Sequence, residues 1–153
     1  MMEYDKACEA EELARLRRVL LLRAMLAGGA SQRQVAEALG VSQSAISQRL
    51  ASAAAERVNP MKLVMAGGDI LRDVAAQNGY TDLAVFGSVA RGEARDDSDV
   101  DLLVQAPPGT TLSRLSAFEE TLEAILGCSV DLVSYGGLKP GVDDDIRRDA
   151  VPL

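Results

Sequence analysis

Tryptophan is absent from this 153-residue chain and aromatic residues make up only 3% of it. Any core must therefore be assembled from Leu, Val, Ala and Ile. Small domains bury a lower fraction of their surface, so such a core is expected to gain from a homodimer interface. Cysteine is nearly missing as well. Cys8 and Cys128 lie far apart without metal-ligand spacing, which fits a reducing cytosol better than a disulfide framework. Long apolar runs are lacking; the stretch from Val19 to Leu22 sits between Arg18 and Arg23, far short of the roughly 20 residues a membrane helix requires. The segment from Met1 to Glu12 is rich in glutamate and has no basic start of the kind secretory signals carry. These absences point to a folded cytoplasmic protein with no membrane partner.

Charge is present but unevenly placed. Met1 to Glu56 holds seven basic and seven acidic residues, whereas Arg57 to Leu153 holds nine and sixteen, a net −7. A uniformly acidic chain would be a poor ligand for phosphates; here the first half is neutral, and the asymmetry argues for two jobs in one chain.

In that first half Leu13, Leu16, Leu20 and Ala24 recur at helical spacing up to Gly28-Gly29. Ser31 is placed to cap a second helix carrying Val35, Ala36 and Leu39. Gly40-Val41 makes a short turn, and Ser42 caps a third helix with Ala45, Ile46 and Leu50 inward. The run from Ser31 to Leu50 resembles the helix-turn-helix of bacterial repressors, with Ala36 allowing close helix approach and Gly40 in the turn. Its third helix would present Ser42, Gln43, Ser44, Ser47, Gln48 and Arg49 outward. Hydroxyls, amides and a guanidinium suit phosphates and base edges in a major groove, so DNA is the expected partner. A helical hairpin used only for packing is the plainer alternative. Arg57-Val-Asn-Pro60 breaks the helical pattern, with Asn59 as a cap and Pro60 in the next first turn. Two domains are therefore expected, residues 1–57 and residues 58–153. Gly67-Gly68 interrupts the helix that follows, for a reason the sequence does not disclose.

The chemistry sits in the second half. The apolar run Leu83–Phe86 reads as a buried strand and leads straight into Gly87-Ser88. A glycine and a hydroxyl between a strand and a helix start make a natural phosphate cradle. Asp99 and Asp101 are two apart in a run of strand character, so period-two alternation puts both carboxylates on one face. Such a pair repels unless a hard cation lies between, and Mg²⁺ accepts this oxygen-only ligation. Asp131, within Ser129–Val133, is on another strand-like run; beside the first it would complete a two-metal site of three carboxylates. Glu93, Asp96 and Asp97 read as a solvated loop, and Asp143–Asp145 as the acidic first turn of a short helix ending in Arg147 and Arg148. The expected fold is α+β, an all-α helix-turn-helix domain followed by a small mixed sheet with flanking helices.

Gly87-Ser88, ten residues, then Asp99-x-Asp101, with Ala90-Arg-Gly-Glu-Ala94 and Ser98-Asp-x-Asp-Leu102, resembles the nucleotidyltransferases of the DNA polymerase β superfamily. Within it the chain is most similar to the minimal nucleotidyltransferases, over about Asp69 to Leu153. The resemblance implies that Gly87 and Ser88 hold the β- and γ-phosphates of ATP and that Asp99 and Asp101 bind two Mg²⁺. It also implies that Asp131 completes the metal nearer the acceptor hydroxyl and helps remove its proton, and that Arg91 contacts phosphate. Minimal members commonly pair with HEPN-domain toxins as antitoxins, transferring AMP to a tyrosine of the toxin. A helix-turn-helix would then suit autoregulation of the operon. The stretch from Asp149 to Leu153 resembles a minimal ending, so the acceptor is expected on a partner surface or at the sheet. Two alternatives stand beside this: a transcription regulator whose nucleotidyltransferase fold only binds nucleotide or a partner, and a small-molecule nucleotidyltransferase.

Overall fold

The computed structural model describes residues 1–153. Its first three helices are α1 (Met2–Ala27), α2 (Gln32–Leu39) and α3 (Gln43–Ala55). Short-range hydrogen bonds explain where they begin. The Ser31 hydroxyl accepts the Gln34 N–H at 3.1 Å while the Gln34 side chain accepts the Ser31 N–H at 2.9 Å, a reciprocal capping box. Ser42 accepts the Ala45 N–H to start α3. Between them the chain turns at Gly40, and Leu22, Val35, Ala36 and Ile46 make a small buried core under the three helices.

A fourth helix, α4 (Pro60–Gln77), begins on the Asn59 cap with proline in its first turn. The chain continues through β1 (Thr81–Phe86), the one-turn α5 (Gly87–Ala90), β2 (Val100–Gln105), α6 (Leu112–Leu126) and β3 (Val130–Ser134). A 3-10 turn at Tyr135–Gly137, α7 (Asp144–Asp149) and the two-residue β4 (Val151–Pro152) close the chain. The four strands lie in the order β3-β2-β1-β4. β1 is antiparallel to β2 and β4, whereas β2 and β3 run parallel, joined by α6. The sheet is therefore mixed, with helices packed against it, as the sequence pattern predicts. The Asp143 and Asp144 carboxylates at the start of α7 accept the N–H groups of Lys139 and Gly141, so they close the preceding loop.

The main core joins α1 to the sheet. Leu16 and Leu20 of α1 pack with Leu63, Ile70 and Leu71 of α4, Val85 of β1, Leu102 of β2 and Leu122 and Ile125 of α6. Leu22, two residues on, faces the other way into the helix-turn-helix core. α1 thus belongs to both cores, while residues 56–59 run between α3 and α4. The closeness of α1 and α4 accounts for Gly67: a Cβ there would run into the Leu20 side chain, whereas one at Gly68 would only make ordinary contact with Leu153 at 3.4 Å. Polar contacts at its rims tie α1 to α4 and to α6. Arg17 makes a two-pronged ion pair with Asp69 at 2.6 and 2.8 Å, Lys62 meets Glu12 at 2.8 Å, and Arg23 donates to the Leu126 carbonyl at the end of α6.

Leu20 is 1% exposed and fills the notch left by Gly67. Leu20→Ala should therefore cost about 2–5 kcal/mol, the range for a buried leucine whose surroundings cannot collapse into the void. Urea unfolding of the variant beside the wild type measures it. A loss below about 1 kcal/mol would mean that α1 does not seat on α4 as described.

Candidate active site

The expected site residues converge at one end of the sheet. β1 delivers the chain into Gly87, whose φ of 67° is left-handed, a conformation costly for residues with a Cβ. That turn sets α5 beside β2, and Gly87 stands directly against the Asp101 side chain. A Cβ at Gly87 would overlap Asp101 Oδ2 and come within 3.0 Å of its Cγ. Ser88, next along, is half-buried, and its carbonyl accepts the Glu93 N–H at 2.8 Å.

Asp101 pairs in parallel register with Asp131 across β2 and β3. Neighbouring strands stand about 4.8 Å apart, so the two carboxylates leave adjacent positions on one face. Val100, Leu102, Val130 and Leu132, which alternate with them, are buried in the core. Asp99 precedes β2 and is exposed. Asp101 is half-buried, and its carboxyl is pushed above the usual carboxylate range. Desolvation is the largest cause, the charges of Asp131 and Asp99 add to it, and Arg91 pulls weakly the other way. Asp101 therefore senses the charge of both neighbouring acids.

The residues present fit a hard divalent cation. The donors are all oxygen, the chain has no histidine, and the absent Cβ at Gly87 lets the Asp101 carboxylate lie directly against the turn. No three acidic or thiol side chains stand close enough to cage a cation unaided, so oxygens from substrate or water would complete its coordination.

Arg91 follows α5 and is held on two sides. Its Nε donates to Glu93 at 3.1 Å and its Nη1 to Asp149 at 3.0 Å, and these hydrogen bonds raise the guanidinium's pKa. Asp149, from the end of α7, is not among the residues the sequence pattern singles out. It lies 58 positions from its partner, and no local pattern points to it. The loop between α5 and β2 is fastened by Asn59, whose side-chain amide donates to the Ala94 carbonyl at 3.0 Å and to Asp96 at 3.2 Å. The cap of α4 thereby also anchors the loop that leads to Asp99. Cys128 is no part of this chemistry: burial pushes its thiol up to about 11, where little of the reactive thiolate exists.

The expected DNA-facing residues, Arg49 included, are all exposed. Gln43, Ser44, Ser47 and Gln48 are exposed on α3, and exposed Ser42 spends its hydroxyl's acceptor capacity on the helix start. Arg49 turns toward α1, where it lines an open groove with Arg15, Arg18, Gln48 and Ser52. Arg15 is paired with Glu56 at 2.9 Å. The neutral total of the first half conceals a segregation. Met1 to Glu12 holds five acidic residues and one lysine, whereas Leu13 to Ala55 holds six arginines against the single acid Glu37.

A family model described as nucleotidyltransferase domain matches residues 69–152, and one described as sigma-70, region 4 matches residues 14–56. The chain is 41% identical over 80 residues to the protein adenylyltransferase MntA of Thermococcus cleftensis, which covers 52% of this chain and 81% of that protein. It is 35% identical over 80 residues to a proposed protein adenylyltransferase of Methanocaldococcus jannaschii, covering 52% and 86% respectively. A solved structure of a proposed minimal nucleotidyltransferase superposes with a TM-score of 0.55 at 42% identity, covering 61% of this chain and 95% of that one.

Proposed function

The chain belongs to the nucleotidyltransferase domain family and is an enzyme of that family with an N-terminal helix-turn-helix; from this premise we propose that it transfers AMP from ATP to a hydroxyl of a partner protein. The observation that carries the reading is the register that sets Asp101 beside Asp131, with Gly87 pressed against the Asp101 carboxylate. The relatives at 41% and 35% identity bear the name protein adenylyltransferase, which supports a protein acceptor. We take that acceptor to be a HEPN-type toxin, with this chain as its antitoxin.

In this reading the backbone of Gly87 and the Ser88 hydroxyl receive the terminal phosphates, beside the Asp101 carboxylate that the missing Cβ admits. Asp99, Asp101 and Asp131 would hold Mg²⁺, which would supply charge neutralisation at the phosphates and at the attacking oxygen. Asp131, on the edge strand and exposed, stands where an acceptor from outside can reach it and takes the proton of its hydroxyl. The hydroxyl oxygen forms a bond to the α-phosphorus, the bond to the β-phosphate oxygen breaks in line, and pyrophosphate leaves. Arg91, steadied by Glu93 and Asp149, keeps its remaining nitrogen for a phosphate oxygen.

The test is incubation with ATP labelled at the α-phosphate and Mg²⁺, with and without a HEPN-domain protein encoded beside this chain. Label on that protein is the expected result. Folded protein that labels no such partner with any nucleoside triphosphate would overturn the transfer reading and leave a nucleotide-sensing regulator.

We also propose that the helix-turn-helix binds operator DNA. Gln43, Ser44, Ser47 and Gln48 would face base edges, whereas Arg49, with Arg18 across the groove from it, would grip the phosphate backbone. Arg49→Ala should then weaken binding to operator and to unrelated DNA alike and lower the salt slope by about one. Fluorescence anisotropy titrations across a salt series measure both. A variant that loses only operator preference would place Arg49 on the bases.

A further inference from the structure

β3 is an edge strand, so every second backbone N–H on it faces away from the sheet. Two of these outward groups do not face water. The Val130 N–H donates to Glu123 Oε1 at 3.0 Å, and the Leu132 N–H donates to Glu119 Oε2 at 2.9 Å. They flank Asp131 on either side. The spacing is matched by geometry, since four residues of helix rise about 6.0 Å and two residues of strand span about 6.6 Å. One face of α6 can therefore engage alternate N–H groups of β3 at once.

Neither glutamate forms an ion pair with a basic side chain, and both are half-buried. Like charges four apart on a helix repel, so the pair has no electrostatic reason to sit there except the strand amides it accepts from. What the clamp resists is a slip of β3 along β2. A shift of one residue turns every side chain of a strand to the opposite face. It would carry Asp131 into the core and bring Val130 or Leu132 up beside Asp101. An edge strand of five residues is held on its inner side alone by the β2 ladder, and Glu119 and Glu123 supply the outer side.

We propose that Glu119 and Glu123 are positioning residues that hold Asp131 in register with Asp101, an inference that rests on the transferase site argued above. They touch no substrate; they act through the backbone on either side of a carboxylate that does. Protection of an exposed edge from pairing with other chains is the competing role, and the two roles respond differently to substitution.

The experiment measures Mn²⁺ binding to the full chain by electron paramagnetic resonance, beside label transfer and amide hydrogen exchange at Val130 and Leu132. It compares the wild type with the Glu119→Ala/Glu123→Ala and Glu119→Gln/Glu123→Gln double variants. Glutamine keeps an oxygen that accepts the N–H, whereas alanine does not. The expected result is faster exchange at both amides and Mn²⁺ affinity about tenfold weaker in the alanine variant, with glutamine restoring both. If the alanine double variant associates through its edge, Glu119→Ala alone, which retains Glu123, is measured in the same way. Faster exchange with unchanged Mn²⁺ affinity would overturn positioning in favour of edge protection. Equal weakening by alanine and glutamine would overturn it in favour of a plain charge effect. Wild-type protein that binds no Mn²⁺, or whose binding is indifferent to Asp131→Asn, would remove the site reading itself and the positioning role with it.

Discussion

Gly87→Ala should reduce adenylyl transfer by at least about a hundredfold, the scale on which misplacement of a reacting group by about 1 Å is felt, while leaving the protein folded. Two effects act together at this residue. Its φ of 67° is left-handed, so alanine there costs roughly 1–2 kcal/mol in backbone strain. The added methyl also meets the Asp101 carboxylate, and either the Gly87 turn or that carboxylate must move. Both belong to the proposed site, so relief of the clash at one disturbs the other. The measurement is the initial rate of label transfer from α-labelled ATP, with circular dichroism to show that the fold persists. Activity within threefold of wild type would mean that the Gly87 turn and the Asp101 carboxylate do not hold the triphosphate and its cation.

Asp101→Asn should abolish transfer as thoroughly, by about 10²–10³-fold or more, yet leave the metal-free protein as stable as wild type or more so. Burial opposes the charged form of Asp101, and the neighbouring charges of Asp131 and Asp99 oppose it further. Asparagine keeps the size and removes the charge that the fold resists. A residue retained for structure behaves in the opposite way, as Leu20→Ala is expected to do. Melting temperature in chelator beside transfer rate in Mg²⁺ separates the two. A variant that loses stability and activity in parallel would make Asp101 a structural residue.

Much of this molecule is legible in its sequence alone, and the legible parts share a physical origin. The caps at Ser31, Ser42 and Asn59 are hydrogen bonds within two or three residues. Their signals lie next to each other in the sequence. The alternation around Asp99–Leu102 and Val130–Leu132 likewise assigns each side chain a face as soon as a strand is assumed. The mixed sheet with flanking helices follows from the order of these segments.

Other features are visible in the sequence but have no explanation there. Gly67 and Gly68 stand out as a flaw in a helix, yet the reason for Gly67 lies in Leu20, 47 positions earlier. Arg49 reads as one more polar residue on the third helix, whereas the approach of α1 sets it in a groove with Arg15 and Arg18. Asp149 gives no sign of its pairing with Arg91, nor Glu119 and Glu123 of their bonds to β3.

By itself the sequence determined most of the helices and strands, the faces they bury, and which carboxylates are candidates for the site, because each rests on contacts within a few residues or on the period of the chain. Tertiary structure alone decided that Asp131 stands level with Asp101, that Gly87 lies under the Asp101 carboxylate, and that one helix, α1, is shared by both cores. Those are matters of register and approach between segments 14 to more than 40 residues apart. They depend on how buried surfaces fit in three dimensions, and neighbouring residues in a chain carry no record of that fit.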